Sequence, residues 1–212
     1  MIKKFKDYDK TQAFTGDGVE QLPPGAYVCK IIGARVEEND YGQSIVIAFD
    51  IANGEQKGYY QKRFDADTAE DKKWKGTYRL YVPTDDGTQK DEWTKRNFKT
   101  FTDALEDSNT NYHFDWDEQK FKGKLFGATF ATTFFSTPDG HMGTFTRIYD
   151  IISTQRVDSG KYRSIPDIFV PKRLRDDYEQ WKSGNNSDKN GSGTDSDGFM
   201  NVPEGADEEV PF

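Results

Sequence analysis

A mainly β domain of five strands, with one main helix between the third and fourth strands and a second helix near the C-terminus, is the fold the sequence predicts. Three observations carry it: two strand-length stretches with period-two alternation early in the chain, one helical apolar stripe in the middle, and two further alternating stretches after it. Aromatic residues make up 15% of a chain that is only 33% hydrophobic, so much of the apolar surface belongs to Phe, Tyr and Trp, residues that favour strands and stacking surfaces.

In order along the chain, residues 1–24 mix charge with Gly16, Gly18, Pro23 and Pro24 and keep no period, which reads as an arm or irregular cover. Residues 25–37 carry Tyr27, Cys29, Ile31 and Val36 as a first strand. Residues 44–52 alternate Ile45, Ile47, Phe49 and Ile51 against Ser44, Val46, Ala48 and Asp50 as a second. Asn39 to Gly42 supplies turn residues between them, and Asn53-Gly54 favours a tight turn into a third strand over 58–64. Residues 67–76 are charged with one Trp, and 77–83 can form a further short strand before the Thr84-Asp85-Asp86-Gly87 turn. Residues 95–107 place Phe98, Phe101 and Leu105 on one helical face, with Ala104 beside them. Residues 125–135 and 143–157 form a strand pair across Thr137-Pro138-Asp139-Gly140, and 171–182 start a helix at Pro171 with Leu174, Tyr178 and Trp181 along one side. Three strands, a helix and two strands is the element order of the five-stranded oligonucleotide/oligosaccharide-binding (OB) barrel, while a β-sandwich with a crossover helix gives a similar order. The domain organisation read this way is an arm over 1–24, an OB-like domain over 25–182 and a disordered acidic tail over 183–212.

Charge divides along the same boundary. Residues 1–182 hold 28 Lys and Arg against 30 Asp and Glu, a net of −2, and residues 183–212 hold one Lys against seven acids, a net of −6, which together make the −8 of the whole chain. The body is near neutral, so the placement of its cations matters more than their number. Residues 183–201 are almost entirely Gly, Ser, Asn, Asp and Thr, too polar to offset the entropy of ordering. Cys29 stands alone in an apolar strand pattern and reads as a buried, inert thiol. No run reaches the roughly 18 apolar residues of a membrane span and the N-terminus has no apolar signal region, so the expected compartment is cytoplasmic with no membrane partner.

Enzyme chemistry finds few footholds. Only His113 and His141 exist, no Cys pair is present for zinc, and no phosphate-binding glycine pattern appears, so neither a catalytic residue nor a cofactor is expected. Asp65, Asp67, Glu70 and Asp71 are dense enough to hold Mg²⁺, the basis of a rival reading as a metal-dependent phosphodiesterase, but acids at that density are usually a solvated face. Single-strand binding needs aromatic faces for bases and nearby cations for phosphates, and the middle of the chain offers both. Tyr59, Tyr60, Lys62 and Arg63 fall on the expected third strand, with Lys72, Lys73, Trp74, Tyr78 and Arg79 soon after. Lys122, Lys124 and Arg147 add cations on the later strands, Arg147 on a face shared with Phe145 and Tyr149. Core burial is the competing role for every one of these aromatics.

The chain ends Asp207-Glu208-Glu209-Val210-Pro211-Phe212, which resembles the acidic tip of bacterial single-stranded DNA-binding proteins, where acids precede an apolar residue, Pro and a final Phe. The motifs Gly25-Ala-Tyr-Val, Ile47-Ala-Phe-Asp-Ile-Ala-Asn-Gly54, Gly58-Tyr-Tyr, Phe121-Lys-Gly123-Lys124-Leu and Phe169-Val-Pro171-Lys-Arg-Leu174 resemble a family of bacteriophage proteins regarded as single-stranded DNA-binding proteins, over about residues 25–175. The resemblance implies a phage protein acting in an infected bacterial host, an OB-like core that coats single-stranded DNA, and a tip that recruits replication or recombination proteins such as a helicase, polymerase or recombinase. In that role the Phe212 ring would enter a partner's pocket while its α-carboxylate meets a basic residue. A sandwich-fold interaction protein that binds no nucleic acid is the other rival.

Overall fold

A computed structural model describes Lys6 and residues 20–39 and 42–187. Its centre is a five-stranded antiparallel sheet built from β1 (Gly25–Asn39), β2 (Gly42–Ile51), β3 (Thr77–Tyr81), β4 (Leu125–Ser136) and β5 (Met142–Ile152), in the order β3-β2-β1-β4-β5. Four α-helices accompany it among the described residues: α1 (Tyr59–Ala66), α2 (Gln89–Ser108), α3 (Thr154–Asp158) and α4 (Arg175–Ser187). The expected mainly β domain with its main helix between the third and fourth strands is therefore present. β3 and β5 are the two edges, and since every neighbouring pair is antiparallel, these edges run parallel to each other.

Alternation sorts the strands into faces. Cys29, Ile31, Ile45, Ile47, Phe49, Ile51, Leu80, Phe126, Ala128 and Phe130 turn inward into one core, which α2 covers with Phe98, Phe101, Ala104 and Leu105. The core is aromatic at its heart. Phe49 meets Tyr60 and Phe126 edge-on at 5.3 and 5.6 Å, and Phe101 lies 5.7 Å from both Phe121 and Phe126. Such edge-to-face pairs set the negative face of one ring against the positive rim of the next. Leu22, from the stretch read as an arm, is buried in the same cluster.

The expected third strand over 58–64 is a correction: these residues form α1, and the third strand is the short 77–81 segment. Two long-range features make the helix. Gly58 takes the left-handed conformation at φ 71°, turning the chain, and Asp50 at the end of β2 accepts hydrogen bonds from the backbone N–H groups of Tyr60 and Gln61 at 2.9 and 3.1 Å, satisfying donors that a helix start leaves open. α2 begins earlier than its apolar stripe, at Gln89, because the Thr88 hydroxyl caps Asp91 N–H at 3.1 Å. The last strand stops at Ile152, where the Ser153 backbone turns into α3. α4 runs to Ser187, past the boundary drawn at 182, and packs Tyr178 and Trp181 on Phe134 at 5.2 and 5.5 Å. Residues 188–212, which hold most of the expected acidic tail, lie outside the described residues.

Candidate nucleic-acid interface

Between the two sheet edges lies a cavity of about 120 Å³, lined by Thr77, Tyr78 and Arg79 of β3, residues 147–151 of β5, Asn97 and Thr100 of α2, and Arg163. Every residue from Met142 to Asp150 is half-buried, as expected of an edge strand with neither face fully covered. Three arginines from separate parts of the chain, Arg79, Arg147 and Arg163, meet at this gap.

Register places Arg79 on the outer face. It stands opposite Val46, with Arg35 opposite Val46 on the other side, while Tyr81 and Glu37 flank Ser44. Arg79 donates to Glu37 Oε2 at 2.9 Å and to Ser44 Oγ at 2.8 Å, and Arg35 pairs with the same Glu37. Hydrogen bonds from Arg35 and Arg79 hold the Glu37 carboxyl below the usual glutamate range. Tyr78, one position earlier, points inward instead and stacks on Phe101 at 5.7 Å with 18° between the rings. Burial pushes its hydroxyl up to about 12, with Arg147 opposing that rise and Asp150 adding to it. The β4–β5 register slips between Thr129 and Phe130, leaving Tyr149 without a direct partner. A bulge of this kind redirects a side chain, and here Tyr149 lies with the Arg163 guanidinium 4.5 Å over its ring and Phe169 5.5 Å away.

The structure brings together only part of the set read from sequence. Tyr78, Arg79 and Arg147 line the cavity. Tyr59 and Tyr60 are core residues, 5% and 7% exposed, and offer no open face to a base. Trp74 is half-buried, its indole N–H shared between the Phe49 and Gly76 carbonyls at 3.1 and 3.0 Å. Lys62, Arg63, Lys72 and Lys73 sit on α1 and the connection after it. There Arg63 reaches the Tyr59 hydroxyl at 3.4 Å, and Lys72 lies 4.5 Å over the Phe64 ring. Lys122 and Lys124 flank the turn that pairs with Ile31 of the central strand, away from both edges, and Lys124 lies 4.5 Å over the Tyr112 ring. Asp207, Glu208, Glu209, Val210, Pro211 and Phe212 lie outside the described residues. Arg163 and Arg35 were invisible as site residues, since no local pattern marks a cation whose neighbours come from other strands.

Among the described residues no group of three or more His, Cys, Asp and Glu is arranged to hold a metal ion. Asp65 and Asp67 accept instead from Gln61 Nε2 and Ala69 N–H. No helix among the described residues is long and apolar enough to cross a membrane. Comparison of the chain with protein-family models finds no match, and comparison with curated proteins finds none either.

Proposed function

We propose that this chain is a non-catalytic, OB-like protein that coats single-stranded DNA without sequence preference, in phage replication or recombination. The strand order supports the fold half of this reading: an OB barrel has these same four pairings, with a helix between strands 3 and 4, plus a closing contact between strands 3 and 5. The parallel β3 and β5 edges face one another across the cavity where that contact belongs.

The observation that carries the functional half is the convergence of Arg79, Arg147 and Arg163 beside Tyr149 at this gap. OB barrels take oligonucleotides on the face of strands 2 and 3, and Arg79 and Tyr81 occupy the outer face of that pair here. Arg79 and Arg147 can follow phosphates while a base joins the stack that Arg163, itself 3.9 Å from Asp150, makes on the Tyr149 ring, the two contacts that sequence-tolerant binding requires. The acidic tip at 207–212 is assigned, in the same reading, to capture of replication proteins.

Titration of the full chain with labelled oligo-dT at two salt concentrations tests it. Binding should weaken steeply with salt. Arg79→Ala and Arg147→Ala should each flatten the salt slope by about one unit, and Tyr149→Ala should cost roughly 1–3 kcal/mol of affinity. Folded variants that all bind like the parent, or a parent that does not bind, would overturn the assignment.

A further inference from the structure

Trp116 is 79% exposed, far above any other large hydrophobic side chain in the described structure. One indole face is spoken for: it stacks on Phe98, centroids 5.9 Å apart and 14° between planes, with Phe114 tilted against it at 5.4 Å. Phe98 is core and Phe114 packs partly buried against it, so the ring rests on an aromatic base while most of its surface looks into solvent. Its backbone sits at φ 67°, a region that a bulky side chain rarely takes. Burial of the indole would be the ordinary outcome for so large an apolar group, and the fold does the opposite.

The surroundings select the partner. From residue 100 to residue 119 the chain carries six acids, Asp103, Glu106, Asp107, Asp115, Asp117 and Glu118, and no Lys or Arg. The cations that bound this stretch are already paired, Lys99 with Asp103 and Lys120 with Asp115 and, at 3.7 Å, Asp117, and six acids against these two still leave the stretch net negative. Glu106 reaches into the same loop, accepting from Phe114 N–H at 2.9 Å. A phosphate backbone is repelled here, and so is the chain's own acidic stretch over 183–212. The site and the arginine cavity lie on different sides of α2: at about 100° per residue, Asn97, which lines that cavity, is about 100° from Phe98, the seat of the indole, and about 180° from Glu106.

We propose that Trp116, seated on Phe98 and flanked by Asp115, Asp117, Glu118 and Glu106, is a docking anchor for an arginine-bearing segment of another protein. An arginine laid over the open indole face gains cation–π attraction, and its guanidinium can reach a carboxylate beside the ring. A Trp already placed against Phe98 and Phe114 loses less conformational freedom on binding than a free one, which suits it to act as a hot spot. On the proposed DNA-coating function, on which this part rests, the anchor leaves the Asn97 side of α2, which lines the arginine cavity, to the nucleic acid.

The test uses the full chain labelled with ¹⁵N and follows the indole N–H resonances of its four tryptophans, the Trp116 peak being the one missing from Trp116→Ala. The probe is a capped eight-residue peptide alternating Arg and Gly, with a Glu-Gly peptide and oligo-dT as comparisons. The Trp116 peak should shift saturably with the Arg-Gly peptide and stay fixed with the other two. Glu118→Gln should weaken that shift at low salt and leave it alone at high salt. Because the readout is local, peptide captured by the acidic stretch over 183–212 does not register. A Trp116 peak that ignores the Arg-Gly peptide, follows oligo-dT, or moves with protein concentration alone would overturn the proposal, the last two assigning the face to DNA or to a second copy of the chain.

Discussion

The Tyr59 hydroxyl accepts a hydrogen bond from the buried Leu22 N–H at 2.9 Å and donates to the Glu20 carbonyl at 3.0 Å, so it pins the residues before β1 onto α1. Tyr59→Phe keeps the ring and strands the Leu22 donor, which should cost about 1–3 kcal/mol in urea unfolding and leave oligo-dT affinity unchanged. The reverse pattern would restore Tyr59 to the DNA surface. The same residue shows why single side chains were hard to read: a Tyr beside Lys and Arg has one composition whether it stacks on a base or packs edge-on against Phe49's neighbour Tyr60, and only burial tells the two apart. Glu37 is the opposite case, a carboxylate on the proposed binding face that pairs with Arg35 and Arg79 and would compete there with phosphate. Its folded pKa is depressed, so its ion pairs are present above the unfolded value near 4.3 and are lost only as pH falls through the lower folded one. Glu37→Gln should therefore tighten oligo-dT binding at pH 7 and low salt, and between pH 5 and 8 the parent's affinity should show no titration from this group. Weaker binding in the variant would mean that Glu37 positions the arginines for DNA instead of masking them.

Elements with a strong internal period were legible, and those made by long-range contacts were not. β1, β2, β4 and β5 and the stripe of α2 follow from alternation and 3.6-residue spacing alone. The Asn53-Gly54 turn points to a strand over residues 58–64, but the Asp50 carboxylate, at the far end of a different element, caps them into α1. That helix then moves the third strand to 77–81 and brings the chain back through a tight passage at Gly76. There the Gly76 carbonyl accepts from Phe49 N–H at 2.8 Å, and a Cβ would stand 2.4 Å from the Phe49 carbonyl oxygen and 2.7 Å from Tyr60 Cγ. Neither neighbour is the free end of a flexible chain. Gly76→Ala should lower stability by about 1–3 kcal/mol or more, through overpacking of the passage that sets β3 in register. Gly33→Ala serves as the control, since its added methyl would meet nothing within 4 Å. Equal midpoints for the two variants in denaturant would show that β3 is not held by this passage.

At the scale of the whole molecule, the cavity was unreadable because it has no local signature. Arg79, Arg147 and Arg163 are separated by 68 and 16 positions and meet only because β3 and β5 end up as facing edges of one sheet. Charge partition, by contrast, is plain in the sequence, and it makes a prediction that depends on the arrangement of the cations. A body of net −2 can bind DNA only where cations are gathered, and a covalently attached stretch of net −6 must raise the local concentration of carboxylate competitors at that place. Removing residues 204–212 deletes four of the seven acids there, Glu204, Asp207, Glu208 and Glu209. At about 20–50 mM salt, where charges act over 10 Å or more, the shortened chain should bind oligo-dT more tightly than the parent. Near 1 M, where the screening length is about 3 Å, the two should converge. The competition also requires the arginine gap: in an Arg79→Ala, Arg147→Ala background the same deletion should change affinity much less. A deletion that tightens binding equally with and without those arginines would locate the DNA path elsewhere on the body, with the exposed lysines around α1 and the connection after it the next surface to remove.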